Sequence, residues 1–215
     1  MTDQIRQRWD AWFLDKKSYQ LDIQYTPWLE KYIGVLKSLK SAHALDLGCG
    51  RGFDSKYLRG LGFRTVSSDY SWGALLSTRK TLRSTSQIQF DMRGGFPFQF
   101  GIFGLVVANL SLHYFSLEKT IEIIHLIHEV LKPGGWLIAR VNSTSDLGFQ
   151  SVKNDLGARI EDEYVFYHDL PRRYFSETAL RQLFAHDWEI SRLEERVLTR
   201  YEKPKALWEI AAQRN

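Results

Sequence analysis

A single cysteine, Cys49, stands in the 215 residues, so no disulfide can form within the chain and a reducing compartment is its natural setting. The N-terminus, Met1-Thr2-Asp3-Gln4-Ile5-Arg6, lacks the apolar stretch of a secretory signal, and no run approaches the length of a membrane-spanning helix. The expected location is the cytoplasm, with no membrane partner. Internal repeats, low-complexity tracts and Pro/Gly-rich linkers are missing too, which predicts one domain over residues 1–215. Nor is there a long basic arm, a zinc-ligand spacing or an aromatic-and-basic RNA motif. The net charge of +4 is dispersed in mixed runs such as Arg192-Leu193-Glu194-Glu195-Arg196, which read as solvated faces, so nucleic acid is a disfavoured partner. What is present, 44% hydrophobic residues, can bury a substantial core.

The densest signal is Ala44-Leu45-Asp46-Leu47-Gly48-Cys49-Gly50-Arg51-Gly52, an apolar run that stops in closely spaced glycines. It predicts a strand turning into a helix near Phe53, with bare backbone at the carboxyl end of the strand where open α/β sheets hold ligands. Asp46 at that strand end would repel a pyrophosphate and suits a ligand carrying an ammonium group and no phosphate. Arg64 to Asp69 reads as a second strand whose terminal carboxylate can accept two ribose hydroxyls; Asp69 also suits a helix N-cap. Gln87 to Met92 reads as a third strand ending in Asp91, an acceptor for an adenine amino group or a turn former. Phe103 to Leu110 is an apolar fourth strand running into Ser111-Leu112-His113-Tyr114-Phe115.

From about Ser41 to Asn142 this pattern resembles the class I S-adenosylmethionine-dependent methyltransferases, and Lys132-Pro133-Gly134-Gly135-Trp136-Leu137-Ile138 is similar to that family's turn into its fifth strand. The resemblance implies an α/β fold, doubly wound, with a mostly parallel seven-stranded sheet closed by an antiparallel final hairpin. It implies S-adenosyl-L-methionine as cofactor and S-adenosyl-L-homocysteine as product. Asp46, Gly48, Cys49, Gly50 and Gly52 would form the cofactor turn, with Asp69 on the ribose, Tyr70 beside a ring, and Asp91 with Met92 at the adenine. Asn109 and Leu110 match the position bordering the transferred methyl. Cys49 reads as a space-filler, since nothing nearby in sequence lowers a thiol pKa.

A sulfonium is already activated, so positioning can suffice for the chemistry. His113, with Tyr114, is the candidate base or orienting group; a His merely satisfied by packing is the competing reading. Acceptor selection is expected from an N-terminal helical lid over residues 1–40 and an insertion over 142–171. Trp9, Trp12, Phe13 and Tyr19 supply aromatic surface there, although an aromatic stripe can equally dock a helix, and Arg140, Asn142, His168 and Arg173 supply polar contacts. His125 and His128 have no further ligand in the pattern, so no metal is expected. The segment Ala108-Asn109-Leu110-Ser111 lacks the Asn/Asp-Pro-Pro-aromatic box of amino-directed nucleic-acid enzymes, and no second cysteine supports attack on pyrimidine carbon 5. These departures favour a small-molecule O, N or S acceptor, with an RNA-modifying enzyme or a non-catalytic cofactor-binding partner protein as alternatives.

Overall fold

Two strands, β1 (His43–Leu47) and β4 (Phe103–Asn109), are buried along almost their whole length, as their near-continuous apolar runs require of central strands in a parallel sheet. The computed structural model describes residues 2–15, 27–39, 41–149, 156–167, 170–199 and 204–215. Tyr19 and His168 lie outside the described residues. With β2 (Arg64–Asp69), β3 (Ser86–Gln89), β5 (Leu131–Asn142), β9 (Trp188–Leu198) and β10 (Lys205–Arg214), the two central strands make a seven-stranded sheet in the order β3-β2-β1-β4-β5-β10-β9. β10 runs antiparallel to both β5 and β9. The doubly wound sheet and closing hairpin expected from sequence are the ones that form. Strand order reverses between β1 and β4, the switch point at which such sheets open a crevice beyond their carboxyl ends.

The chain divides into two compact units, residues 1–107 with 130–132 and residues 108–129 with 133–215. In the first, α1 (Thr2–Leu14), a 3-10 turn (Trp28–Tyr32) and α2 (Ile33–Ser38) precede β1, and α3 (Phe53–Gly60) and α4 (Trp72–Thr81) follow β1 and β2. The stretch from Trp28 to Ser38 is thus split between a 3-10 turn and a short α-helix. Pro27 starts the tighter turn, which buries Trp28, Leu29 and Tyr32 and lets the Trp28 indole donate to Asp54 at 2.9 Å. β3 stops at Gln89, short of the predicted Met92, because the Asp91 carboxylate accepts the Arg93 N–H at 3.0 Å and caps a 3-10 turn over Met92–Gly94. Parallel registers bring Leu47 opposite Ser68 and Asp69 opposite Gln89, so the carboxyl ends of β1, β2 and β3 share one edge.

In the second unit, α5 (Leu117–Val130) buries Ile123, Ile124 and Ile127 on one face, as its spacing predicts. The connection after β5 holds α6 (Asp146–Phe149) and an antiparallel sheet of β6 (Leu156–Glu161), β7 (Tyr164–Tyr167) and β8 (Leu170–Arg173) in that order. Ser176 caps α7 (Glu177–Leu183), its hydroxyl accepting the Ala179 N–H at 3.2 Å. No helix among the described residues is long and apolar enough to cross a membrane.

Candidate functional site

The glycine turn forms because Gly48, Gly50 and Gly52 adopt φ of 75°, 52° and 75°, a left-handed backbone that costs other residues about 1–2 kcal/mol each. The Gly48 and Cys49 N–H groups both donate to the Ser68 carbonyl, at 2.9 and 2.8 Å, which ties the turn to the end of β2. Thr78 of α4 backs it: its hydroxyl donates to the Gly50 carbonyl at 2.9 Å, and its methyl would stand 2.5 Å from a Cβ on Gly52. Cys49 is buried beside Thr78, and burial pushes its thiol well above the ordinary range, with the Asp69 and Asp46 charges adding to the effect. Such a thiol is inert filler.

Asp46 is fully buried, and Ser55 donates to its Oδ2 at 2.5 Å; Ser55 meets Ser67 at 2.7 Å, and Ser67 meets Thr85 at 3.2 Å. Burial first, then the neighbouring Asp54 charge, raises Asp46 to about 8, so it braces the turn as a neutral acid at pH 7. Asp69 is the less buried acid at the edge. Its Oδ2 accepts the Gly50 N–H at 2.9 Å and its Oδ1 the Ser71 N–H at 2.8 Å, leaving each oxygen with acceptor capacity to spare. Desolvation lifts Asp69 to about 6, opposed by N–H donors from Ser71, Gly50 and Tyr70. The helix cap belongs to Ser71, whose hydroxyl accepts the Ala74 N–H at 3.1 Å, which frees Asp69 from that role.

The N-terminal helix lies against this turn, and its anchor is polar. Asp10 Oδ1 accepts the Ser71 hydroxyl at 2.6 Å and the Gly73 N–H at 2.8 Å. A Cβ at Gly73 would come within 2.6 Å of the Asp10 carbonyl oxygen, so only glycine admits this approach. The Phe13 ring sits 3.3 Å from where a Gly50 Cβ would be, stacks with Trp9 at 6.0 Å, and lies under the Arg51 guanidinium, which also donates to the Phe13 carbonyl at 2.9 Å. Trp12 is 44% exposed. Asp10 thus completes the turn without having been singled out, whereas Phe13 belongs to the aromatic set read from the sequence, its four-residue spacing from Trp9 being the signal. At the third strand end, Met92 is buried, and both Asp91 oxygens are engaged by Arg93, whose guanidinium lies 5.3 Å from the Tyr70 ring centroid.

The residues of this first unit fit an adenosyl sulfonium. Carboxylates at Asp10 and Asp69 border the turn, with Asp10 raising Asp69 further; such a lining opposes phosphate and matches hydroxyls and a cation.

In the second unit, Leu110 holds φ 58° while its N–H donates to the Arg140 carbonyl at 3.0 Å. A left-handed leucine is a strained residue, and strain of this kind concentrates at functional positions. Asn109, just before it, closes β4. Arg140 is committed within the sheet to Glu209, its cross-strand partner, at 3.0 and 2.5 Å. Arg173 is tied to Glu161, to the Phe115 carbonyl at 3.1 Å, and to the Tyr164 ring at 4.9 Å. His113 and Asn142 are different. Both are buried, and among the described residues neither the His113 Nδ1 nor the Asn142 Nδ2 has a hydrogen-bond partner; each such atom costs about 1–3 kcal/mol. Lys205, absent from the sequence reading, donates to Asn142 Oδ1 at 2.8 Å and lies 3.7 Å from Asp146 Oδ2. Burial, with the charges of Lys205 and Arg172, pushes His113 well below its ordinary range. A neutral imidazole held so low is a poor base and a good hydrogen-bonding group. Its ring lies 4.4 Å from that of Tyr114.

Strand order, switch point and glycine turn together define the Rossmann-like fold of class I methyltransferases. Residues 45–139 match the family model of the methyltransferase domain, and over that stretch the chain is similar to S-adenosylmethionine-dependent methyltransferases. It is 39% identical over 98 residues to the human mitochondrial arginine-hydroxylase NDUFAF5, an alignment covering 44% of this chain and 27% of that protein. It is 35% identical over 94 residues to malonyl-[acyl-carrier protein] O-methyltransferase of Buchnera aphidicola, covering 44% of this chain and 37% of that protein. The aligned segment therefore spans well under half of these relatives. A Burkholderia thailandensis 1,6-didemethyltoxoflavin-N1-methyltransferase, solved with its substrate and S-adenosylhomocysteine, superposes with a TM-score of 0.70 at 16% identity, covering 98% of this chain and 87% of that one.

Proposed function

We propose that this chain is a methyltransferase that uses S-adenosyl-L-methionine to methylate an O, N or S atom of a small molecule. The observation that carries the reading is the pairing of the left-handed glycine turn with Asp69 on one sheet edge. Gly48, Cys49, Gly50 and Gly52 would hold the amino-acid part of the cofactor by backbone, Asp69 the ribose hydroxyls, and Tyr70, Asp91 and Met92 the adenine. Phe13 and Trp9 would cover the turn and keep water from it. When bound, the cofactor supplies an electrophilic methyl on a positively charged sulfur, and displacement in line with the departing thioether needs no covalent help from protein.

The chain's own part is to fix and desolvate the acceptor. Asn109 and Leu110 would border the methyl, and the strained backbone at Leu110 supports a positional role there. His113 and Tyr114 would orient the acceptor; with His113 held neutral beside Lys205 and Arg172, positioning outweighs proton abstraction at that residue. Trp12, Arg140 and Arg173 would act at the edges or through the packing around the acceptor. The two methyltransferases named above act on small or carrier-linked acceptors, which agrees with this class of substrate. Incubation with the cofactor and a panel of small acceptors tests the proposal by S-adenosylhomocysteine release and product mass. A gain of one methylene group supports it. A gain of one oxygen atom in its place would assign hydroxylation.

A further inference from the structure

The N-terminal helix reaches the cofactor edge at two points, and both stand behind one carboxylate. Asp69 is oriented by backbone: its Oδ1 accepts the Ser71 N–H at 2.8 Å and its Oδ2 the Gly50 N–H at 2.9 Å. Each of those donor residues is backed by a side chain of α1. The Ser71 hydroxyl donates to Asp10 Oδ1 at 2.6 Å, and the Phe13 ring stands 3.3 Å from a would-be Cβ on Gly50. Asp10 and Phe13 are three residues apart and share one helix face. Asp10 Oδ1 also takes the Gly73 N–H at 2.8 Å, while the Ser71 hydroxyl takes the Ala74 N–H at 3.1 Å, so the open start of α4 is closed partly by α1. Little else holds this helix. From Asp3 to Leu14 no side chain is fully buried, and thirteen residues are marginal as a helix alone in water, so the docked state answers to small changes at either point.

We propose that Asp10 is a positioning residue of the cofactor site: through Ser71 it sets the Asp69 carboxylate for the ribose, so that docking of α1 and binding of the cofactor strengthen each other. This deepens the cofactor reading above and rests on it. The coupling is reciprocal, because whatever docking adds to cofactor affinity the cofactor adds to docking. Asp10 also reaches Asp69 by charge. The titratable groups facing Asp69 are Asp10 from α1 and Asp46 and Cys49 from β1 and the turn, and the Arg93 guanidinium lies over the neighbouring Tyr70 ring. Burial first, with the Asp10 charge adding to it, holds Asp69 at about 6. Ribose hydroxyls donate to the ionised form, so affinity is full above that pH and falls as pH drops through it.

The test titrates S-adenosylhomocysteine by calorimetry, from about pH 5 to 8, into the wild-type chain, Asp10→Ala and Asp10→Asn, and follows hydrogen exchange of the α1 amides with and without it. Asp10→Ala is expected to bind about tenfold more weakly, and saturation is expected to slow α1 exchange about tenfold in wild type and little in Asp10→Ala. Asp10→Asn keeps Oδ1 as an acceptor, so it should recover most of the lost affinity. Lacking the charge, it should keep that affinity to lower pH than wild type. A role confined to holding α1 in place would restore affinity without moving the acid limb. Wild-type affinity in Asp10→Ala, α1 exchange indifferent to S-adenosylhomocysteine, or one acid limb shared by Asp10→Asn and wild type would overturn the proposal. Asp10→Asn and the wild-type exchange decide even if Asp10→Ala does not fold. Binding to wild type with any of those outcomes sinks the Asp10 inference alone, whereas no binding to wild type sinks the methyl-transfer reading with it.

Discussion

The glycine turn of the first unit and the Asn142–Lys205–His113 cluster of the second are built on opposite plans. Around the turn the polar groups answer one another: Asp46 with Ser55, Asp69 with Gly50 and Ser71, Thr78 with Gly50, Asp10 with Ser71 and Gly73. Its shape is complete before any ligand arrives, which suits a cofactor that never changes. In the cluster, buried amide and imidazole nitrogens are left unanswered among the described residues, at a cost of about 1–3 kcal/mol per atom. That cost suits a surface whose last partners arrive with the substrate. The lesson is that satisfied polar networks mark what the protein holds in place, and unsatisfied ones mark what it selects.

The strongest challenge to this contrast is at Gly52. Its φ of 75° and the Thr78 methyl 2.5 Å from a would-be Cβ mean that Gly52→Ala should lose about 2–4 kcal/mol of stability. S-adenosylhomocysteine binding should weaken with it, and a Thr78→Ser background should recover part of both in denaturant melts. Asp69→Asn comes next. Keeping shape while removing charge, it should weaken S-adenosylhomocysteine binding by about tenfold to a hundredfold, the worth of hydrogen bonds to a charged group, with the fold intact by circular dichroism.

Stability against pH sharpens the comparison from another side. Asp46 rises to about 8 when folded, against about 4 in the unfolded chain, so between those values the native state binds the extra proton. Stability should be full below the lower value and fall as pH rises through the folded one. Asp46→Asn should flatten that slope in thermal melts, leaving a smaller decline toward the folded value of about 6 that belongs to Asp69. The smallest effect is expected at His113. Replacing a buried imidazole by an apolar ring, His113→Phe, should leave the unfolding free energy within about 1 kcal/mol of wild type or raise it, while acceptor turnover falls. A large loss of stability would mean that His113 serves the fold and has no ligand role.

The parts legible in the sequence are those written by local chemistry. Runs reaching Asp46 and Asp69 located two strand ends, the run to Asp91 overshot the end of β3 at Gln89, and the glycines at 48, 50 and 52 located the turn. The final hairpin was implied by the family resemblance that those runs carry. What could not be read depends on contacts between residues far apart in the chain. Asp10 reaches α4 across more than sixty residues, as in the Asp10–Ser71 bond at a separation of 61, and nothing around Asp10 announces it. Arg140 looked available for an acceptor until β10 placed Glu209 opposite it. Lys205 went unnoticed because a lysine is ordinarily a surface residue, and only the antiparallel return of β10 sets it beside Asn142.

The central claim, that the first unit's edge is made for a sulfonium nucleoside and refuses a pyrophosphate, is tested most directly by calorimetric titration of the wild-type chain with S-adenosylhomocysteine and, separately, with NAD. The account predicts saturable binding of the first at one site per chain and no heat of binding with the second. Binding of NAD without S-adenosylhomocysteine would contradict it.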